Sequence, residues 1–141
     1  MKKYLVNINI LILFVLFCNS FTEAQITEAN VKSALTTIFD LSVKENFIKA
    51  AGLILFENGA EKRSYNAADN SELKTVKRQC KKIKAYINLS DSYEYSNYTQ
   101  IQIDGMNGAV LEVVFKSGDQ KLIISFNFVN LSGKLLLTNF K

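Results

Sequence analysis

Apolar and polar side chains alternate along residues 93–103, a period of two that is typical of a strand with one face on a core and one in water. The even-numbered positions of this segment are mostly polar, and the odd-numbered positions contain most of its apolar side chains. An uninterrupted alternation predicts that Tyr93 and Tyr95 share the inner face. It predicts that Tyr98 faces the opposite way.

Three further strands are predicted between this segment and the end of the chain, over residues 109–115, 121–129 and 134–141. The sequences between them contain Asp-Gly, Asn-Gly and Ser-Gly pairs, which accept the positive φ angles of hairpin turns. Residues 121–129 are apolar at nearly every position, which predicts a central strand covered on both faces. The C-terminal third is therefore expected to form an antiparallel meander.

Helical periodicity dominates the region before the meander. Residues 26–39 place apolar side chains on one stripe, with Thr27 as a capping residue. Ser42 and Glu45 have the spacing of a capping box, which predicts a second, short helix that ends at Gly52. The stripe of the first helix consists of Val31, Leu35, Ile38 and Phe39.

A third helix is predicted after a short hairpin over residues 53–56 and 61–65. Asp69 and Glu72 again have capping-box spacing, and the apolar residues that follow step by three and four. Six basic residues, five lysines and one arginine, lie around this seam between residues 74 and 84. The apolar seam contains Leu73, Val76, Cys80, Ile83 and Ile87.

The N-terminus has the form of a secretory signal peptide over residues 1–24. Lys2 and Lys3 precede an apolar run at residues 10–17, and Ala24 ends a small-x-small site. The alternative is an uncleaved anchor, but the run is shorter than the ~20 residues of a typical span. Lipidation at Cys18 is disfavoured by the bulky residue before it. We expect a secreted or periplasmic protein with a single domain over residues 25–141 and no membrane span after signal removal.

Composition limits the chemistry of this domain. The 141-residue chain has no histidine, so catalytic triads and imidazole zinc sites are excluded, and no metal or cofactor is predicted. The net charge of +4 is mild, and no nucleic-acid partner is predicted. Without Cys18, Cys80 has no intrachain disulfide partner. Its place on the apolar seam favours a buried side chain over a reactive thiol or a dimer bridge.

The order of elements resembles the NTF2-like, or cystatin-like α+β, superfamily, in its small secreted bacterial members. The likeness lies in the junction at residues 40–42, the helix that contains residues 80–83, and the closing strands at residues 124–128 and 133–137. It implies N-terminal helices packed on a curved, cone-like C-terminal antiparallel sheet. It also implies a ligand pocket at the mouth of the cone and homodimers formed through the sheet.

Aromatic side chains cluster where the third helix is expected to meet the sheet, and tyrosine can line a pocket with an apolar body and a polar tip. Ordinary core or surface packing is the alternative. The candidate lining residues are Tyr86, Tyr93, Tyr95, Phe126 and Phe128. These sequence features favour a non-enzymatic domain that binds a small apolar ligand or a protein partner.

Two other functions are compatible with the sequence. A small acid–base enzyme of isomerase or dehydratase type would pair Asp40 or Asp104 with Tyr95, although both aspartates occupy turn or junction sequences and no catalytic residue is assigned. An anion-binding surface would use the basic helix over residues 74–84. Asn88, Asn97 and Asn130 also begin glycosylation triplets.

Overall fold

The computed structural model describes residues 26–141, so the predicted signal segment and Cys18 lie outside the described residues. Within this range the order of elements is the predicted α+β order, with three helices, a short hairpin between the second and third, and a C-terminal meander of four strands. None of the helices in residues 26–141 combines the length and the hydropathy needed to span a membrane.

The first two helices differ from the prediction at their junction. Helix α1, Glu28–Val43, begins at the predicted cap, because the Thr27 side chain accepts a hydrogen bond from the backbone N–H of Asn30. It continues beyond the predicted end, and Ser42 is buried in its last turn. The predicted capping box at Ser42 is therefore wrong. Asn46 caps α2, Phe47–Ala51, instead. Ser42 follows Ile38 by four residues, so it extends the buried stripe of α1.

Helix α3, Asn70–Asn88, has the predicted cap and seam. The Asp69 carboxylate accepts hydrogen bonds from the backbone N–H groups of Ser71 and Glu72. Val76, Cys80 and Ile83 are fully buried. The second half of the predicted capping box is absent, because the carboxylate of Glu72 binds Arg63 and the Asn66 backbone N–H.

The strands form one hairpin and one antiparallel sheet. In the hairpin, β1 pairs with β2, and in the sheet the order is β3-β4-β5-β6. The hairpin is linked to the last strand by a parallel bridge between Ile54 and Leu137. The bounds are β1 Leu55–Asn58, β2 Glu61–Ser64, β3 Ser92–Ile103, β4 Met106–Ser117, β5 Gln120–Leu131 and β6 Lys134–Phe140.

Strand β5 is internal in the sheet, as predicted, but the prediction that both its faces are covered is wrong near its start. Phe126 and Phe128 face the core and are fully buried. Ile123, on the outer face, is 56% exposed, and Leu122 is 47% exposed. The uniformly apolar sequence therefore combines a core strand with an apolar end that remains in solvent.

A β-bulge in β3 overturns the predicted orientation of Tyr98. Tyr95 is paired with Val113, whereas Tyr98 is paired with Leu111, so the register shifts by one residue between them. A bulge places one extra residue in a strand and exchanges the faces of all residues beyond it. Tyr98 thus lies on the inner face with Tyr95, and its hydroxyl donates to the Ile26 carbonyl at 2.9 Å.

The core lies between the helices and the inner face of the sheet. Val31, Leu35 and Ile38 of α1 pack with inner residues of β4 and β5, and all are fully buried. A smaller cluster, formed by Leu55, Val129 and Leu136, joins the hairpin to the end of the meander. The α+β arrangement predicted from the NTF2-like resemblance is confirmed.

Candidate functional site

An open groove of ≈ 430 Å³ lies between the C-terminal end of α3 and the ends of β4 and β5. We call it the mouth groove. Phe115 and Leu122 occupy paired positions on neighbouring strands, and Tyr93 is paired with Phe115 on the other side. The groove is lined by Tyr86, Leu89, Ser90, Phe115, Ser117, Gln120, Lys121 and Leu122.

Aromatic contacts fix the floor of the mouth groove. The ring of Tyr86 lies 5.7 Å from that of Phe115, and Tyr93 lies 5.9 Å from Phe115 on the neighbouring strand. Phe39 of α1 makes an edge-to-face contact with Tyr93 at 5.3 Å. Aromatic pairs at such distances are stabilised beyond the area that they bury. The floor is therefore a rigid apolar surface.

The walls of the mouth groove are apolar but exposed. Leu89 is 76% exposed and Leu122 is 47% exposed. The polar groups lie at the rim, where the Ser90 hydroxyl already donates to the Tyr86 carbonyl at 2.6 Å. Lys121 forms no ion pair with a carboxylate in residues 26–141. The groove can thus accept an apolar molecule and offers one unpaired cation at its edge.

Four of the five predicted lining residues separate into two groups of two, and Tyr95 belongs to neither. Tyr86 lines the mouth groove, and Tyr93 contacts its floor through Phe115. Phe126 and Phe128 are fully buried, and they belong to the core between the helices and the sheet instead of lining a space. Tyr95 lies between these groups and is half-buried, with its hydroxyl 2.7 Å from that of Thr36.

Sequence analysis did not identify Leu89, Phe115 and Leu122 as lining residues. Phe115 and Leu122 each appeared as ordinary inner positions of a strand. The signal that relates them is the pairing across the Ser117–Gln120 turn, which brings the two residues side by side. Leu89 lies just after α3, at the C-cap position, where an apolar side chain at the surface has no periodic pattern to mark it.

The acid–base pair considered in the sequence analysis is not formed with Asp104. Asp104 and Tyr95 are nine positions apart on one extended strand, a separation of about 30 Å. Asp104 has a φ of 50° in the β3–β4 turn and forms an ion pair with Lys62 at 3.0 Å. It therefore has the turn role that its Asp-Gly sequence predicts.

Asp40 is closer to the tyrosines and influences one of them. The pKa of Tyr93 is raised, chiefly by burial and further by Tyr95 and the charge of Asp40. A phenol with a raised pKa stays protonated at neutral pH. Tyr93 is thus a hydrogen-bond donor near the mouth groove and is unsuited to act as a base.

Cys80 is buried in the core, and burial raises the pKa of its thiol, while the nearby Ser42 hydroxyl opposes this rise. A thiol in this setting is unreactive, because the thiolate is the nucleophilic form. The structure thus favours the buried-residue interpretation of Cys80 over that of a reactive thiol.

Comparisons with known proteins found likeness in structure alone. No family model and no curated protein matches the sequence. The chain is similar to a solved structure described as "Rd1NTF2_05 with long sheet", with 13% identity, a TM-score of 0.47, and coverage of 79% of this chain and 93% of that one. It is also similar to a form of Rd1NTF2_05 that carries five substitutions, with 12% identity, the same TM-score, and coverage of 79% and 95%.

Proposed function

We propose that this chain is an exported, non-enzymatic domain that binds a small, largely apolar ligand in the mouth groove. The observation that carries the proposal is the exposure of Leu89 and Leu122 beside the fixed rings of Tyr86 and Phe115. Apolar side chains left in water around a concave surface gain free energy when a ligand covers them.

The filled interior of the cone supports the same location. Phe126 and Phe128 are fully buried and pack against α1 and the neighbouring strands. The mouth groove has a volume of ≈ 430 Å³, which falls within the range of small-molecule sites. A ligand of ordinary size is therefore accommodated there without displacing Phe126 or Phe128.

Binding of Nile red, a neutral apolar dye whose fluorescence rises in apolar surroundings, tests the proposal. We expect saturable binding, and we expect Leu89→Ser combined with Leu122→Ser to weaken it by roughly tenfold or more, because two apolar contacts are lost. Ile123→Ser is the control, since the exposure of Ile123, 56%, falls between those of Leu122 and Leu89, but Ile123 lies on the outer face of the strand that contains Leu122. Equal weakening by the control, or no saturable binding, would contradict the proposal.

The acid–base enzyme is the alternative function, and Asp104 distinguishes it. The carboxylate of Asp104 is engaged by Lys62, far along the strand from Tyr95. Asp104→Asn should therefore leave Nile red binding unchanged. A large loss of binding in this variant would show that Asp104 acts at the site and would favour the enzyme.

A protein partner or a homodimer through the sheet remains a prediction, and the outer face is less suited to it. Ile123 is exposed there and is paired with apolar Val114, but farther along the outer face of β4 and β5 lie Glu112, Ser125 and Asn127. Stable dimer interfaces are usually more apolar at their centre. Sedimentation of the wild type and of Ile123→Ser distinguishes a monomer from a sheet-mediated dimer, because such a dimer should dissociate in the variant.

Export is part of the proposal and has its own test. The charged start, apolar run and cleavage sequence of residues 1–24 support it. Secretion from a host that processes signal peptides should yield a mature protein that begins at Gln25. A protein that keeps residues 1–24 in the membrane fraction would contradict this part.

A further inference from the structure

We propose that a second groove, between α3 and β6, binds a hydroxylated organic carboxylate such as a sugar acid. This α3–β6 groove has a volume of ≈ 360 Å³ and shares no lining residue with the mouth groove. Its size is near the lower end of the range for small-molecule sites, which suits a single six-membered ring. It is lined by Arg78, Gln79, Lys82, Thr138, Asn139 and Phe140.

The cations of the α3–β6 groove are available to an anion. Arg78 and Lys82 are four residues apart, so they project from the same side of α3. Neither forms an ion pair with a carboxylate in the part of the chain that the structure describes, whereas Lys84 on the same helix is paired with Glu45. Arginine and lysine side by side are well suited to a carboxylate, which guanidinium binds through two parallel hydrogen bonds.

Gln79 supplies the second requirement of the ligand. Its side-chain oxygen is buried and accepts no hydrogen bond from residues 26–141. Buried acceptors are nearly always paired, because an unpaired one lowers stability. A hydroxyl group of the ligand would supply the missing donor, which distinguishes a hydroxylated carboxylate from a simple anion.

The strand side of the groove supplies an apolar surface. The ring of Phe140 is stacked on buried Phe126 at 5.4 Å, and the Lys82 ammonium lies 5.2 Å from its centre. Asn139 borders the groove, but its side chain accepts a hydrogen bond from Asn127 on the outer face of the sheet and is not counted as a ligand contact. A sugar ring bound beside Phe140 would bring its carboxylate to Lys82, whose ammonium lies over that aromatic ring, and to Arg78.

Titration of the labelled protein with sodium glucuronate, followed by NMR, tests this assignment. We expect saturable shifts of the Gln79 side-chain amide and of the Phe140 backbone amide with a Kd of about 1 mM, as suits so small a ligand. Glucose, which has the same ring without the carboxylate, should cause none. Equal shifts with glucose, or no saturable shifts with either glucuronate or trigalacturonate, would overturn the proposal.

Two double variants remove the same charge from one helix and separate the groove from general electrostatics. Arg78→Gln with Lys82→Gln should weaken glucuronate binding by roughly tenfold or more, since charge-assisted hydrogen bonds are lost. Lys74→Gln with Lys81→Gln removes two cations outside the groove and should change binding by about twofold at most, because exposed charges at a distance are screened. All four substituted side chains are exposed to solvent, so neither double variant disturbs the core. Equal weakening in both would overturn the proposal.

Gln79→Met tests the acceptor with two readouts. It replaces the unpaired oxygen with an apolar group of similar length, so the melting temperature should stay the same or rise while glucuronate binding weakens. Unchanged binding would overturn the role of Gln79 in the site. A fall in both properties would show a structural role instead of a ligand contact.

The carboxylate can come from a free sugar acid or from a residue of an acidic polysaccharide, and trigalacturonate separates these sources. We call Arg78→Gln with Lys82→Gln the groove variant. Binding of both glucuronate and trigalacturonate, lost in the groove variant, indicates that the free acid suffices. Binding of trigalacturonate alone, again lost in the groove variant only, indicates the polysaccharide. Binding that falls equally in both double variants would overturn the proposal. Nile red binding at the mouth groove should be unaffected throughout.

Discussion

Individual side chains decide how the hairpin is attached to α3, and the link between Arg63 and Glu72 is the principal one. The guanidinium of Arg63 donates two hydrogen bonds to the Glu72 carboxylate, at 2.7 and 2.9 Å, and the Asn66 backbone N–H donates a third at 2.6 Å. The guanidinium also lies 4.1 Å from the centre of the Phe56 ring. The ion pair therefore joins the strand, the loop and the helix at one point.

Glu72→Gln should lower the melting temperature of the protein at neutral pH, because the buried side chain loses its charge opposite Arg63. Glu61→Gln is the matched control, since Glu61 contacts the same guanidinium at 2.7 Å but its side chain is 55% exposed. We expect a clearly smaller effect there, as exposed ion pairs contribute little. Equal losses in the two variants, measured by thermal unfolding, would contradict a special role for Glu72.

The pH dependence of stability follows from the same carboxylate. The pKa of Glu72 is lowered from 4.5, first by hydrogen bonds from Arg63 and then by the Asn66 N–H. A group with a lowered folded-state pKa stabilises the protein above its unfolded pKa and loses this contribution as pH falls through the folded value. Wild type should thus lose stability below pH 4.5, and Glu72→Gln should show a flatter acid profile. A profile as steep as that of wild type would contradict this attribution.

Among the elements, the helices and strands follow from periodicity, whereas their exceptions depend on tertiary contacts. The α3 seam of Val76, Cys80 and Ile83 is buried as its spacing predicts. The Ser42 capping box fails because Ser42 continues the buried stripe of α1. The alternation in β3 does not reveal the bulge, because polar residues lie on both faces of the strand after the bulge.

Cysteine labelling tests the bulge directly. Thr99→Cys, in a form that also carries Cys18→Ser, should react with a thiol reagent at nearly the rate of an unfolded peptide, because Thr99 is exposed on the outer face. Buried Cys80 in the same molecule, whose thiol pKa is raised by burial, should react only on unfolding. An uninterrupted alternation would place Thr99 inside with Tyr95, and a protected Thr99→Cys would contradict the bulge.

At the scale of the whole molecule, the site was predictable in type but not in position. The sequence indicates aromatic side chains near the junction of helix and sheet, and Tyr86 does line the mouth groove. Phe126 and Phe128 belong to the interior, because the helices fill the concave face that a ligand would otherwise occupy. Whether a concavity is filled depends on packing between distant segments, which periodicity does not report.

Phe126→Ala measures how completely the interior is packed. Phe126 is fully buried against Phe39 and Phe140, so its truncation should reduce the free energy of unfolding by about 3–5 kcal/mol. Ile123→Ala, on the outer face of the same strand, should change it by no more than about 0.5 kcal/mol. Urea unfolding gives both values, and similar losses at the two positions would show that the two faces are not distinguished as described.

A crystal structure of the protein with Nile red tests the central claim, that ligand binds at the mouth of a filled cone, most directly. The account predicts dye density against Tyr86, Leu89 and Leu122, with Phe126 and Phe128 in their unliganded positions. Dye density between Phe126 and Phe128, with these rings displaced from the core, would contradict it.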